Sequence, residues 1–177
     1  MQYERNKDAW FMGTGWLIRP DLMITAGHNV YNWSGKLGKA EVIKCHIGYY
    51  GKESVGKPGV QSRLAKRVIT TAGWLASKDN RDHDLAFIQV DKPFEGNLRV
   101  FSYDRTPGSG YEMLGVVGYP GDMRIKDSYG RDENGARMYE QFCPVQYDIM
   151  GVANEDNLKL LKYPISTFGG KSFNGLL

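Results

Sequence analysis

Short apolar runs, none longer than nine residues, are separated along this chain by glycine and proline, and this alternation restricts the fold more than any other feature. The runs cover residues 10–18, 22–25, 41–47, 68–71, 85–90 and 113–117 and are rich in Val, Ile, Tyr and Phe, the composition of strands rather than helices. In Glu41-Val-Ile-Lys-Cys-His-Ile47 the alternation is imperfect but closer to period two than to a helical period. Turn residues fall between the runs at Arg19-Pro20-Asp21, Gly56-Lys-Pro-Gly59, Thr106-Pro-Gly108 and Pro120-Gly-Asp122. Many short strands in one chain predict an all-β sandwich or barrels. Residues 124–138 are polar and contain glycine, and are expected to form a long surface loop. No internal repeat or low-complexity tract interrupts the pattern.

With 177 residues the chain is long enough to bury a sizeable core as one domain or two small lobes. Its hydrophobic fraction of 41%, charged fraction of 24% and net charge of +3 are ordinary for a globular protein, which disfavours disorder and a large nucleic-acid footprint. No apolar run is long enough for a membrane-spanning helix, and the first residues, Met1-Gln-Tyr-Glu-Arg-Asn-Lys-Asp, lack a signal-peptide core; no membrane partner and no cellular address are read. Cys45 and Cys143 have no Cys-x-x-Cys spacing, so a single bridge and two free thiols both stay open.

Three segments carry the residues suited to chemistry. Gly13-Thr-Gly-Trp-Leu-Ile-Arg-Pro-Asp-Leu-Met-Ile-Thr-Ala-Gly-His28 reads as strand, Pro-Asp turn and second strand, ending in an Ala-Gly step that presents His28 at a barrel edge. An imidazole, with an unperturbed pKa of about 6.5, can accept and return a proton near neutral pH. In Asp82-His-Asp84-Leu-Ala-Phe-Ile-Gln-Val a carboxylate directly precedes an apolar strand, is drawn partly out of water, and needs a partner; a histidine N–H suits it, since the carboxylate then fixes the tautomer. Ser166-Thr-Phe-Gly-Gly-Lys-Ser172 is a glycine-rich turn able to expose a hydroxyl beside the N–H groups of Gly170 and Ser172, a candidate oxyanion hole. Taken singly, each has a plain structural reading as a strand-end histidine, a turn aspartate or a glycine turn.

Two other readings fail on spacing. A phosphate-binding loop needs glycine five residues before Gly170, where Ile165 stands, and a following helix for which only five residues are left. A metal site built from His28, His46, His83 and Asp84 has no recognisable ligand spacing, so no metal ligand is assigned. The order His, Asp, Ser is the chymotrypsin order and not that of subtilisins or α/β-hydrolases.

Together, Gly13-Thr-Gly-Trp-Leu-Ile, Ile24-Thr-Ala-Gly-His28, Asp84-Leu-Ala-Phe-Ile, Val116-Val-Gly-Tyr-Pro-Gly and Ser166-Thr-Phe-Gly-Gly-Lys-Ser172 resemble the trypsin-like serine proteases of the glutamyl endopeptidase branch. The resemblance runs from about Trp10 to Ser172. It implies two six-stranded antiparallel β-barrels in a single peptidase domain over residues 1–177, the first barrel to about residue 95 and an incomplete second one over about 96–177. It implies a serine endopeptidase with His28, Asp84 and Ser172 as triad, acting on polypeptides through an acyl-enzyme with no metal or organic cofactor. Thr167 matches the family's threonine on the primary specificity pocket, which implies cleavage after Glu and, less strongly, Asp. Family members are often secreted. They also continue Ser-Gly-x-Pro, whereas here Ser172 is followed by Phe-Asn-Gly-Leu-Leu177, so a second barrel truncated at the C-terminus is expected. The alternative is a catalytically inactive protease-like module that binds peptides in its cleft, or a truncated product.

Overall fold

The computed structural model describes residues 1–102, 110–119, 124–126, 132–134 and 137–147. Twelve strands are present among them: β1 (Gln2–Tyr3), β2 (Gly15–Arg19), β3 (Leu22–Thr25), β4 (Tyr31–Asn32), β5 (Gly38–Val42), β6 (Lys44–Ile47), β7 (Gln61–Thr70), β8 (Ala86–Val90), β9 (Gly110–Gly118), β10 (Arg124–Lys126), β11 (Asp132–Asn134) and β12 (Tyr139–Tyr147). One short α-helix, α1 (Ala72–Ala76), and a 3₁₀ turn, Arg81–His83, stand between β7 and β8.

All strand pairings among the described residues are antiparallel. A five-stranded sheet runs β2-β3-β8-β7-β6, and a three-stranded sheet runs β1-β5-β4. The two are continuous through the chain, because only Ile43 separates β5 from β6 and its carbonyl accepts from Ala65 N in β7 at 3.0 Å. A strand that leaves one sheet to join another turns a corner, and the sheets curl around a shared core. That core includes Tyr3 from β1, Leu17 from β2, Met23 from β3, Cys45 from β6 and Ile88 from β8, with Phe94 beyond β8. β8 shows the alternation of a half-buried strand, with Ala86, Ile88 and Val90 inward and Phe87 and Gln89 less buried. Cys45 is a free, buried thiol, which decides its side of the choice left open by the sequence.

The predicted strand over residues 10–18 begins only at Gly15. In the tract before it the backbone passes so close to Asn29 that a Cβ on Gly13 would lie 2.6 Å from its side chain. The surface loop expected over residues 124–138 is a correction: β10 and β11 lie inside it and pair in register, Arg124 with Asn134 and Lys126 with Asp132. The sequences Arg124-Ile-Lys126 and Asp132-Glu-Asn134 are short and mostly polar and leave no hydrophobic alternation to read. β9 and β12 form a second ladder of nine facing pairs, from Gly110 with Tyr147 to Gly118 with Tyr139. This ladder meets the β2 region at its end, where Tyr119 N donates to Thr14 Oγ1 at 2.9 Å and Tyr119 OH to Tyr49 O at 3.0 Å.

Candidate active site

His28 sits in a single 3₁₀ turn, Gly27–Asn29, directly after β3. Asp84 stands two residues before β8, the sheet neighbour of β3, with Thr25 opposite Ala86. The register of this one strand pair therefore brings together two residues 56 apart in sequence. His28 Nδ1 lies 2.6 Å from Asp84 Oδ2, and His28 N donates to Asp84 Oδ1 at 2.7 Å. The carboxylate thus uses one oxygen on the ring and the other on the backbone of the same residue. Since a carboxylate oxygen accepts, Nδ1 is the donor in this contact, and in the neutral ring the lone pair is then on Nε2. The side chains are 33% and 21% exposed, so Asp84 is drawn partly out of water while the ring keeps an open edge.

The surroundings hold this pair in place. Thr71 caps α1 by accepting from Trp74 N at 3.1 Å, and its hydroxyl donates to the carbonyl of His83, the residue before Asp84, at 2.6 Å. The capped helix delivers Trp74, only 5% exposed, edge-on to His28 with ring centroids 6.3 Å apart. Trp74 Nε1 donates to Tyr31 O, and its own carbonyl accepts from Trp33 Nε1. Gly27 must lack a side chain: a Cβ there would lie 2.8 Å from Trp74 Cδ1 and 3.0 Å from Asp84 Oδ1. On the other side of the turn the buried Tyr3 hydroxyl donates to Asn29 O at 3.0 Å, with His28 O at 3.5 Å. Asn29 Nδ2 donates to Thr25 Oγ1, which donates in turn to Thr14 O.

Of the five residues assigned from sequence, the structure brings together His28 and Asp84. Ser172, Gly170 and Thr167 lie outside the described residues. Tyr3, Asn29, Thr71 and Trp74 were not singled out from sequence. A threonine three residues before Trp74 is a capping signal that was open to reading; nothing local marks Tyr3, whose role arises from pairing β1 with β5. His46 and His83 stand apart from the couple: His46 pairs with Ser62 Oγ at 2.8 Å, and His83 lies against Gly73 of α1. Among the described residues no three His, Cys, Asp or Glu side chains converge as a metal-binding group, and no helix is long and apolar enough to cross a membrane.

Among solved structures, a Glu endopeptidase in complex with MPD superimposes with a TM-score of 0.66 over 93% of this chain and 67% of that one, at 23% identity. The fold is that of the trypsin-like serine proteases. In sequence the chain is 26% identical to a glutamyl endopeptidase of Bacillus licheniformis over 165 residues, which cover 90% of this chain and 43% of that protein. It is 30% identical to a modular serine protease of Drosophila melanogaster over 97 residues, 52% of this chain and 15% of that one. The chain thus spans less than half the length of either relative, and no protein-family model matches it. In both sequence and fold it resembles trypsin-like serine proteases of the glutamyl endopeptidase type.

Burial raises the Tyr3 phenol to about 12 and the Cys45 thiol to about 11. Both groups hold their protons more tightly when folded than when unfolded, so their contribution is complete below the unfolded values of about 10 and 8.5. It is lost as pH rises toward the folded ones. Unfolding in urea is therefore expected to become easier from about pH 9 to 12. Tyr3→Phe should flatten the upper part of this decline while costing about 1–3 kcal/mol at neutral pH, because the Asn29 carbonyl loses a buried donor. A wild-type stability that is level across this interval would contradict the assignment.

Proposed function

We propose that the chain is a serine endopeptidase domain over residues 1–177, with a first barrel to about residue 95 and the remainder belonging to the second. In this reading His28 Nε2 takes the proton of the Ser172 hydroxyl as Oγ attacks a peptide carbonyl, and then returns it to the leaving amine. Asp84 holds the imidazole in the required tautomer and stabilises the imidazolium. The N–H groups of Gly170 and Ser172 receive the developing oxyanion, and Thr167 lines the pocket for a Glu, or less readily Asp, side chain before the scissile bond. Polypeptides are the substrates.

The observation that carries this reading is the two-point contact of Asp84 with His28. A carboxylate serving only as a strand cap has no need to bind both the backbone N–H and the ring of the same histidine. The named relatives, a glutamyl endopeptidase and a modular serine protease, support the same chemistry, and the first supports the Glu preference.

Treatment of the folded chain with a fluorophosphonate, followed by intact-mass measurement, tests it. One adduct that disappears in Ser172→Ala is expected. Peptide libraries should then show cleavage after Glu in preference to Arg or Phe. A chain with a β-type circular dichroism spectrum that takes up no label would overturn the reading.

A further inference from the structure

Residues 91–102 leave β8 and run back across the sheet, where Phe101 N donates to Leu17 O at 2.8 Å and the Phe101 ring meets Trp16 edge-on. Within this connector, Glu95 differs from the other glutamates whose exposure is described. Its side chain is 87% exposed, and it stands in irregular backbone beside Gly96, whose φ is +96. Glu41 and Glu140 are strand residues, Glu53 is in a 3₁₀ turn, and Glu4 and Glu41 are about half as exposed as Glu95. Exposed loop tips beside small residues are the preferred sites of nicking.

The backbone of Glu95 is nevertheless held. Gln61, at the start of β7, grips it from both sides: Gln61 Nε2 donates to Glu95 O at 2.8 Å, and Glu95 N donates to Gln61 Oε1 at 2.9 Å. Arg63 orients that amide by donating from NH2 to Gln61 Oε1, and it holds the preceding turn by donating from Nε to Lys92 O and Pro93 O. The buried Phe94 ring, 3% exposed and beneath the Arg63 guanidinium, fixes the other side. The carbonyl between Glu95 and Gly96 is thus already occupied, and the positive φ of Gly96 is not the extended form in which a strand-like peptide adds to a protease. The side chain, 87% exposed and met only at 3.9 Å by Arg63 NH2, is within reach of a partner while the bond beside it is closed.

We propose that Glu95–Gly96 is a latched hydrolysis site, cut by glutamate-directed endopeptidases, another copy of this chain included, at a rate set by release of the Gln61 amide. The self-cleavage part rests on the functional reading above. In the step, the Glu95 carbonyl carbon passes from the Gly96 nitrogen to the attacking serine hydroxyl and then to water. The products are an α-carboxylate on Glu95 and an α-amino group on Gly96. A cut here severs the covalent link between the curled β1–β8 sheets and β9–β12. Cleavage requires the local segment to open, so its rate follows the open population.

The test uses the full chain, incubated alone and with an added, independent glutamyl endopeptidase, and follows by mass the fragment ending at Glu95. With added enzyme, Gln61→Ala and the stem-preserving Gln61→Met should release this fragment at least roughly tenfold faster than wild type, given two lost hydrogen bonds. Glu95→Gln in either background should abolish it. Absence of the fragment from every form, or equal rates in wild type and both Gln61 variants, would overturn the proposal. Release by the added enzyme with none by the chain alone would leave the latched site standing and remove self-cleavage only; the protease reading is tested separately, by fluorophosphonate labelling of Ser172.

Discussion

If the chain is the serine peptidase proposed above, Asp84→Asn is expected to lower its turnover by roughly 10⁴, the loss that follows when the imidazole of such a triad takes the wrong tautomer. The reason lies in the two-point contact. Asp84 accepts from His28 N with one oxygen and from His28 Nδ1 with the other. An amide has a single accepting oxygen, so one of these donors must face an NH₂ group. If the oxygen stays on the backbone N–H, the NH₂ group meets the ring, Nδ1 becomes the acceptor, and the ring proton moves to Nε2, where the lone pair is needed. If the amide turns over, the backbone N–H of the turn loses its acceptor and the turn loosens. The rate is read as kcat on a Glu-containing peptide. The tautomer is read separately, as disappearance of the hydrogen-bonded Nδ1 proton resonance, an observable that needs no turnover. A variant that retains turnover within tenfold of wild type would remove Asp84 from the mechanism.

Trp74→Ala should be the most damaging single truncation near the site, with a loss of about 3–5 kcal/mol in urea unfolding, a large part of the stability of an ordinary domain. Trp74 is 5% exposed and lies edge-on to His28, so its removal leaves a cavity beside the imidazole as well as a Tyr31 carbonyl without its donor. Trp74→Phe keeps an aromatic ring while losing the donor and part of the ring volume, and should cost less, about 1–3 kcal/mol. Comparable costs for the two variants would show that packing against the ring contributes little.

The sequence was most legible where side chains alternate against the core. β3 runs over the predicted residues 22–25, and β8 falls within 85–90 because Ala86, Ile88 and Val90 point inward. It was least legible where strands lie at the surface or pair only with one neighbour. β7 extends back to Gln61 through Gln-Ser-Arg-Leu-Ala-Lys-Arg, a polar tract that pairs with β6 over Gln61–Leu64 and with β8 from Ala65 on, so its place is set by its partners and not by its own pattern. β12 contains Pro144, which argues against a strand but is tolerated in a ladder among whose described residues β9 is the one partner. For the site, the tight Ala-Gly step before His28 and the carboxylate entering an apolar strand were sufficient to anticipate the couple. The residues that hold it, Tyr3 and Trp74, could not be found the same way, since each acts through a contact made only after distant strands have paired.

The placement of Asp84 beside β8 has a consequence for the order of events in synthesis. β2 and β3 form a local hairpin and can set the His28 turn early. The carboxylate arrives only when β8 docks on β3, a non-local pairing and so a slow one. Until then the imidazole has no fixed tautomer, and any serine hydroxyl near it is unactivated. In the proposed function, a growing or partly unfolded chain would therefore lack an activated serine, and reactivity would appear only once β8 has docked on β3.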